Sequence, residues 1–186
     1  VPDLALIDPV PLMSMDPYLT ACTAMDALTH AIGAYVSNTH SALTDVHALE
    51  SIGLINQAVE QSVTPTRSIE TMFQLMLGSL QAGLAFSNAS LGAVHAMSHS
   101  MGGLLDLPHG ECNSILLEHI IRINFETVPD RYRDIARQLG LLVDNVSDYL
   151  LLEMITTRIA SMRQNLSIPA SIMVPNLKES TLDYLV

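Results

Sequence analysis

The chain has no tryptophan, only two cysteines and only eight lysines and arginines among 186 residues, and most of these shortages remove a class of function. Cys22 and Cys112 cannot build a disulfide framework, and both are expected to stay reduced inside a cell. Nineteen acidic residues outweigh the basic ones to a formal net charge of −11, which argues against nucleic acid or an anionic membrane surface as partner. No apolar run is long enough to span a bilayer and no signal peptide opens the chain, so a cytoplasmic location is expected. There is no repeat, low-complexity tract or linker. The length suits one well-packed core, so residues 1–186 read as a single domain.

What is present is histidine, concentrated where it is costly. Between Gly83 and His119 lies a small, apolar stretch that holds His95, His99 and His109 within fifteen residues. An unpartnered polar ring in such surroundings is unfavourable. His95 and His99 are four apart and so share one helical face. Their helix is predicted to start near Ser87 or Asn88 and to stop at Gly102-Gly103. Pro108 suits a first-turn position of the next helix, which brings His109 back toward His95. A second segment, Thr23 to Ile32, places Asp26 and His30 at the same spacing. One such histidine alone is more often a hydrogen-bonded core or surface residue. One carboxylate with two or three imidazoles is enough to hold a divalent ion and leave a position open.

The remaining chain reads almost wholly helical. Leu4 to Asp8 is a short extended segment ended by Pro9 and Pro11. Helices are predicted over Leu19–Val36, Leu43–Val63, a third carrying Met72, Leu75 and Phe86 on one face, another from Pro129 toward Gly140, and Asp144–Asn165. Ser180–Val186 reads as the start of a last helix. The fold class is therefore all-α, a helical bundle whose candidate ligands come from three helices. His40, His47 and His119 fall outside the site, and Asp45, Glu50 and Glu60 belong to a solvated face.

The segments Asp26-Ala27-Leu28-Thr29-His30-Ala31-Ile32 and Gly83-Leu84-Ala85-Phe86-Ser87-Asn88 through Pro108-His109-Gly110 resemble the two signatures of the iron-containing (group III) alcohol dehydrogenases. The resemblance is close from Pro2 to Arg133 and thins afterwards. It implies a helical domain of the dehydroquinate synthase-like kind. It further implies that Asp26, His30, His95 and His109 ligate Fe(II) or Zn(II), that His99 is catalytic without being a ligand, and that Phe86 lines the substrate pocket. Hydride would pass between a small alcohol or aldehyde and NAD or NADP. The nucleotide is held in that family mainly by an N-terminal domain with a glycine-rich turn, and no such loop is found in this sequence. The partners implied are therefore that domain and, over an exposed apolar face, a second copy. A non-catalytic metal-binding fragment and a helical interaction module with structural histidines are the alternatives.

Three positions depart from the family pattern: Ala24 in place of Gly, Gly33 in place of Glu and Glu118 in place of Pro. Gly33 should weaken its helix by about 1 kcal/mol relative to Ala.

Overall fold

Pro17 has no amide hydrogen to satisfy, and the Asp16 carboxylate accepts from the amides of Tyr18 (2.9 Å) and Leu19 (3.1 Å). The first long helix therefore starts there, ahead of the Leu19 expected from the sequence. In the computed structural model, which describes residues 3–172, seven α-helices follow a short 3-10 turn at Pro11–Ser14. They are α1 Pro17–Tyr35, α2 Ala42–Ser62, α3 Ile69–Ala89, α4 Ala93–Leu105, α5 His109–Phe125, α6 Pro129–Gln138 and α7 Asp148–Asn165. No strand occurs among the described residues, and the segment expected to be extended, before Pro9, pairs with nothing. Ser180–Val186 lies outside the described residues.

The bundle is built around α1. Twelve of its residues are buried, among them Ala21, Met25, Leu28, Ala31 and Ile32, so it is apolar on nearly every side. A helix of that kind belongs inside a fold, and here α2, α3 and α5 surround it. Its small side chains let the neighbours approach closely, while each fully buried Leu or Ile contributes about 2 kcal/mol. The α2–α3 pair is closer still: Ser51 donates its hydroxyl to the Gly78 carbonyl at 2.7 Å, and a Cβ on Gly78 would stand 2.8 Å from Ile55 Cγ1. The outer helices are tied in through arginine. Arg131 of α6 lies 3.9 Å over the Tyr35 ring, donates to the Tyr35 carbonyl at 2.6 Å and pairs with Asp45 of α2.

Several expectations need correction. Asp45 is drawn partly under cover by Arg131 and His40 (3.1 Å), whereas Glu60 stays on a solvated face, 39% exposed, and there takes Arg158 of α7 at 2.8 Å. Neither Ser87 nor Asn88 caps α4. The backbone ladder of α3 runs through both, and the Asn88 side chain donates back to the Leu84 carbonyl at 3.0 Å. The break falls at Ser90, which sits at φ 67° and ψ 177°, and α4 begins after Gly92. At the other end α4 runs through Gly102-Gly103 to Leu105, and the left-handed residue that closes it is Asp106 (φ 53°, ψ 42°). Pro108 precedes α5 as its N-cap instead of entering the first turn. α7 starts at Asp148, since Asn145 at φ 59° turns the chain before Ser147 caps the helix.

Gly33 has no such structural duty. A Cβ there would meet only the Gly92 amide nitrogen, at an ordinary 3.8 Å. Gly33→Ala is therefore expected to stabilise the chain by about 0.5–1 kcal/mol, raising Tm by roughly 1–4 °C in thermal unfolding followed by circular dichroism. A lower Tm would show that the position is constrained after all.

Candidate metal centre

Helical spacing delivers each polar side chain to the same place. On α1, Asp26 and His30 are one turn apart; on α4, His95 and His99 are; on α5, His109 and Asn113 are. The three helices bring Asp26, His95 and His109 together so that one donor atom from each lies within 4.8 Å of the others. His95 Nε2 is 3.3 Å and His109 Nε2 3.6 Å from Asp26 Oδ1. His30 stands beside this trio. Its Nε2 faces the other carboxylate oxygen of Asp26 at 3.6 Å, and its ring is stacked between His95 and Phe86, with centroids at 3.9 and 4.1 Å. His99 is exposed at the edge of the cluster, 4.8 Å from the His109 ring and 6.3 Å from that of His95. Cys112 is buried outside the cluster, and burial raises its thiol pKa, so it stays protonated.

Two contributors were not singled out in the sequence. Asn113, fully buried, donates its amide to Asp26 Oδ1 at 2.5 Å and lies 3.1 Å from both His95 Nε2 and His109 Nε2. Ser98, also fully buried, reaches His109 Nδ1 at 3.1 Å. Their spacing was the available signal: Asn113 is four residues after His109, and Ser98 three after His95.

The electrostatics favour a cation. Burial alone would raise the Asp26 carboxyl, but hydrogen bonds from His30 and His95, the charge on His30 and the Asn113 amide together hold it well below the usual carboxylate range. Burial lowers the pKa of His109, opposed by the Asp26 charge and helped by the neighbouring imidazoles, so neutral imidazole is favoured. A carboxylate faced by imidazole nitrogens is a divalent-metal donor set. Among the described residues His30 Nδ1 and Asn113 Oδ1 are buried without hydrogen-bond partners. Carboxylate and imidazole donors at this spacing fit Fe(II) or Zn(II).

The C-terminal model of the Fe-containing alcohol dehydrogenase family matches residues 20–186. The chain belongs to that family. The 1,3-propanediol dehydrogenase of Citrobacter freundii is 37% identical over 185 residues, covering 100% of this chain and 48% of that protein. The NAD-dependent methanol dehydrogenase of Bacillus methanolicus is 33% identical over 99% of this chain and 48% of its own length. The chain thus spans about half the length of these relatives. Among solved structures, the alcohol dehydrogenase from Oenococcus oeni matches with a TM-score of 0.90 at 32% identity, covering 96% of this chain and 46% of that one. A 1,3-propanediol oxidoreductase matches with a TM-score of 0.84 at 38% identity, covering 87% of this chain and 42% of that one. Like this chain, then, other family members include a helical part of this shape.

The centre depends on a close helix approach. A Cβ on Gly110 would come within 2.7 Å of the Cys22 carbonyl carbon and 3.1 Å of Cys22 Cβ, so α5 can lie against α1 only with glycine at this point. Gly110→Ala is expected to push His109 and Asn113 away from Asp26 and cost about 1–3 kcal/mol in urea unfolding, with loss of metal uptake. Unchanged unfolding and unchanged uptake would contradict this.

The same groups set a pH dependence. Both Asp26 and His109 have folded-state pKa values below their ordinary ones, so the unfolded chain binds more protons and stability falls on acidification. The metal-free chain should lose stability below about pH 6.5 through His109 and again below about pH 4 through Asp26. Urea melts from pH 8 to pH 3 check this, and His109→Gln should flatten only the first stage.

Proposed function

We propose that this chain is the metal- and substrate-binding part of a nicotinamide-dependent alcohol dehydrogenase, in which Asp26, His95 and His109, joined by His30, hold one Fe(II) or Zn(II). The observation that carries the reading is the convergence of one carboxylate and two imidazole nitrogens, from three helices, on one point. A divalent ion held there would supply Lewis acidity toward the oxygen of a small alcohol or aldehyde, and NAD or NADP would take up or return the hydride. We assign nucleotide binding mainly to the part of the longer relatives that lies outside the matched segment.

The chain's own residues have separate tasks. Asp26 keeps its negative charge down to low pH and so is available to a cation throughout the physiological range. Phe86, stacked on His30, forms an apolar wall that keeps water from the reacting carbon. His99 is exposed and one turn from His95, so it can take the hydroxyl proton of an alcohol and pass it to solvent, or return one to an aldehyde. Proton and hydride leave the alcohol by different routes, one to His99 and one to the nicotinamide, and an aldehyde or ketone remains.

Elemental analysis of the purified chain after anaerobic reconstitution with Fe(II) or Zn(II) tests the reading. One equivalent is expected in the wild type and none in His95→Ala. No metal in either protein would overturn it. His99→Ala should keep the metal, and in an assay with alcohol, nicotinamide cofactor and the nucleotide-binding part supplied it should lower turnover by about 10²–10⁴-fold.

A further inference from the structure

Ser98 does not belong to the ligand set, yet it is fully buried at the centre and its hydroxyl makes two contacts with one residue. Its Oγ lies 3.1 Å from His109 Nδ1 and 3.3 Å from the His109 carbonyl oxygen. A hydroxyl has one hydrogen to give. If that hydrogen went to Nδ1, Oγ and the carbonyl oxygen would face each other as two acceptors with no proton between them. If it goes to the carbonyl, Oγ is left as an acceptor beside the ring, and both contacts are satisfied by an N–H at Nδ1.

The far side of the ring gives the same answer from other atoms. Asn113 Nδ2 is 3.1 Å from His109 Nε2 and 2.5 Å from Asp26 Oδ1. The amide cannot be turned round, because its carbonyl oxygen would then press against the carboxylate oxygen. The NH₂ group has two hydrogens for three neighbours, since His95 Nε2 also lies 3.1 Å away, so it favours a lone pair on His109 Nε2 without fixing it alone. The two sides of the imidazole therefore favour the same form, and the Ser98 hydroxyl, whose ring contact is to His109 alone, is the side that fixes it.

We propose that Ser98 is a positioning residue: its hydroxyl fixes His109 as the Nδ1–H tautomer and points the Nε2 lone pair at Asp26 and His95, where a metal ion would be bound. The proposal rests on the metal reading above for its purpose, but the tautomer is a property of the metal-free chain. Without Ser98, His109 is free to adopt the Nε2–H form, which cannot coordinate through Nε2, and its ring loses the bond that sets its angle. Outer contacts of this kind are typically worth about 10–100-fold in metal affinity.

The test uses the full chain, labelled with ¹⁵N-histidine and freed of metal, with His109 identified by the signals lost in His109→Gln. Long-range ¹H–¹⁵N correlation at pH 8 should show a protonated Nδ1 and a bare Nε2 in the wild type. Ser98→Ala should show both tautomers, with unchanged helical circular dichroism and Zn(II) affinity lowered about 10–100-fold. Ser98→Thr, which keeps the hydroxyl, should restore both readouts. An Nε2–H tautomer in the wild type, or a Ser98→Ala protein with the wild-type tautomer and the wild-type affinity, would overturn the assignment. A Ser98-dependent Nδ1–H form in a wild-type chain that binds no Zn(II) would support the tautomer lock while refuting the metal reading.

Discussion

A half-buried carboxylate surrounded by imidazoles is the constraint on which the centre depends. Asp26 sits on the most buried helix of the bundle, and taking its charge out of water would be costly if nothing met it. Its partners come from elsewhere in the chain: His95 from α4, His109 and Asn113 from α5, with His30 one turn along α1. Compensation of the charge thus requires α1, α4 and α5 to meet correctly. The small residues of α1 and the missing side chain at Gly110 are what let them do so. Packing and electrostatics are here one requirement, because any displacement of α5 leaves the carboxylate short of its donors.

That dependence explains which parts of the structure were legible in the sequence. The all-helical fold could be read because the apolar spacing of α2 and α7 acts locally, whereas the cap at Ser147 was passed over and the start of α7 misplaced. The pairs Asp26/His30 and His95/His99 could be read because four-residue spacing fixes a shared face. Less legible was anything decided by the backbone between elements. Ser87 and Asn88 look like caps, yet the preceding helix absorbs them. The break is at Ser90, a residue type that gives no hint of a positive φ. Asn113 and Ser98 were passed over because a lone amide or hydroxyl in an apolar helix has many ordinary uses, and only the meeting of α4 with α5 gives these two theirs.

Glu118 shows the opposite case, a departure from the family pattern whose meaning is structural. In the sequence it adds a charge nine residues after His109 and raises the question of pocket polarity. In the fold it points toward α7, where Arg163 binds it at 2.9 and 3.2 Å, with Arg163 itself nearly buried. The charge is neutralised inside the α5–α7 contact, at a place where removing one partner would strand the other. It therefore tightens the outer bundle without adding a charge to the centre.

Part of the remaining irregularity gathers near the centre, although Asn145 and Ser167, on either side of α7, also take positive φ. Ser90 takes a backbone conformation that L-residues rarely adopt, and strain of this kind costs on the order of 1–3 kcal/mol. It lies in the connection between α3, which carries Phe86, and α4, which carries His95. Of the three buried polar atoms lacking a partner among the described residues, two are His30 Nδ1 and Asn113 Oδ1, both in the centre. Buried polar atoms left unpaired within one cluster hold that cluster against the chain's own stability. Such an arrangement persists when something that binds only the folded chain returns the energy, which is the part we propose for a divalent cation.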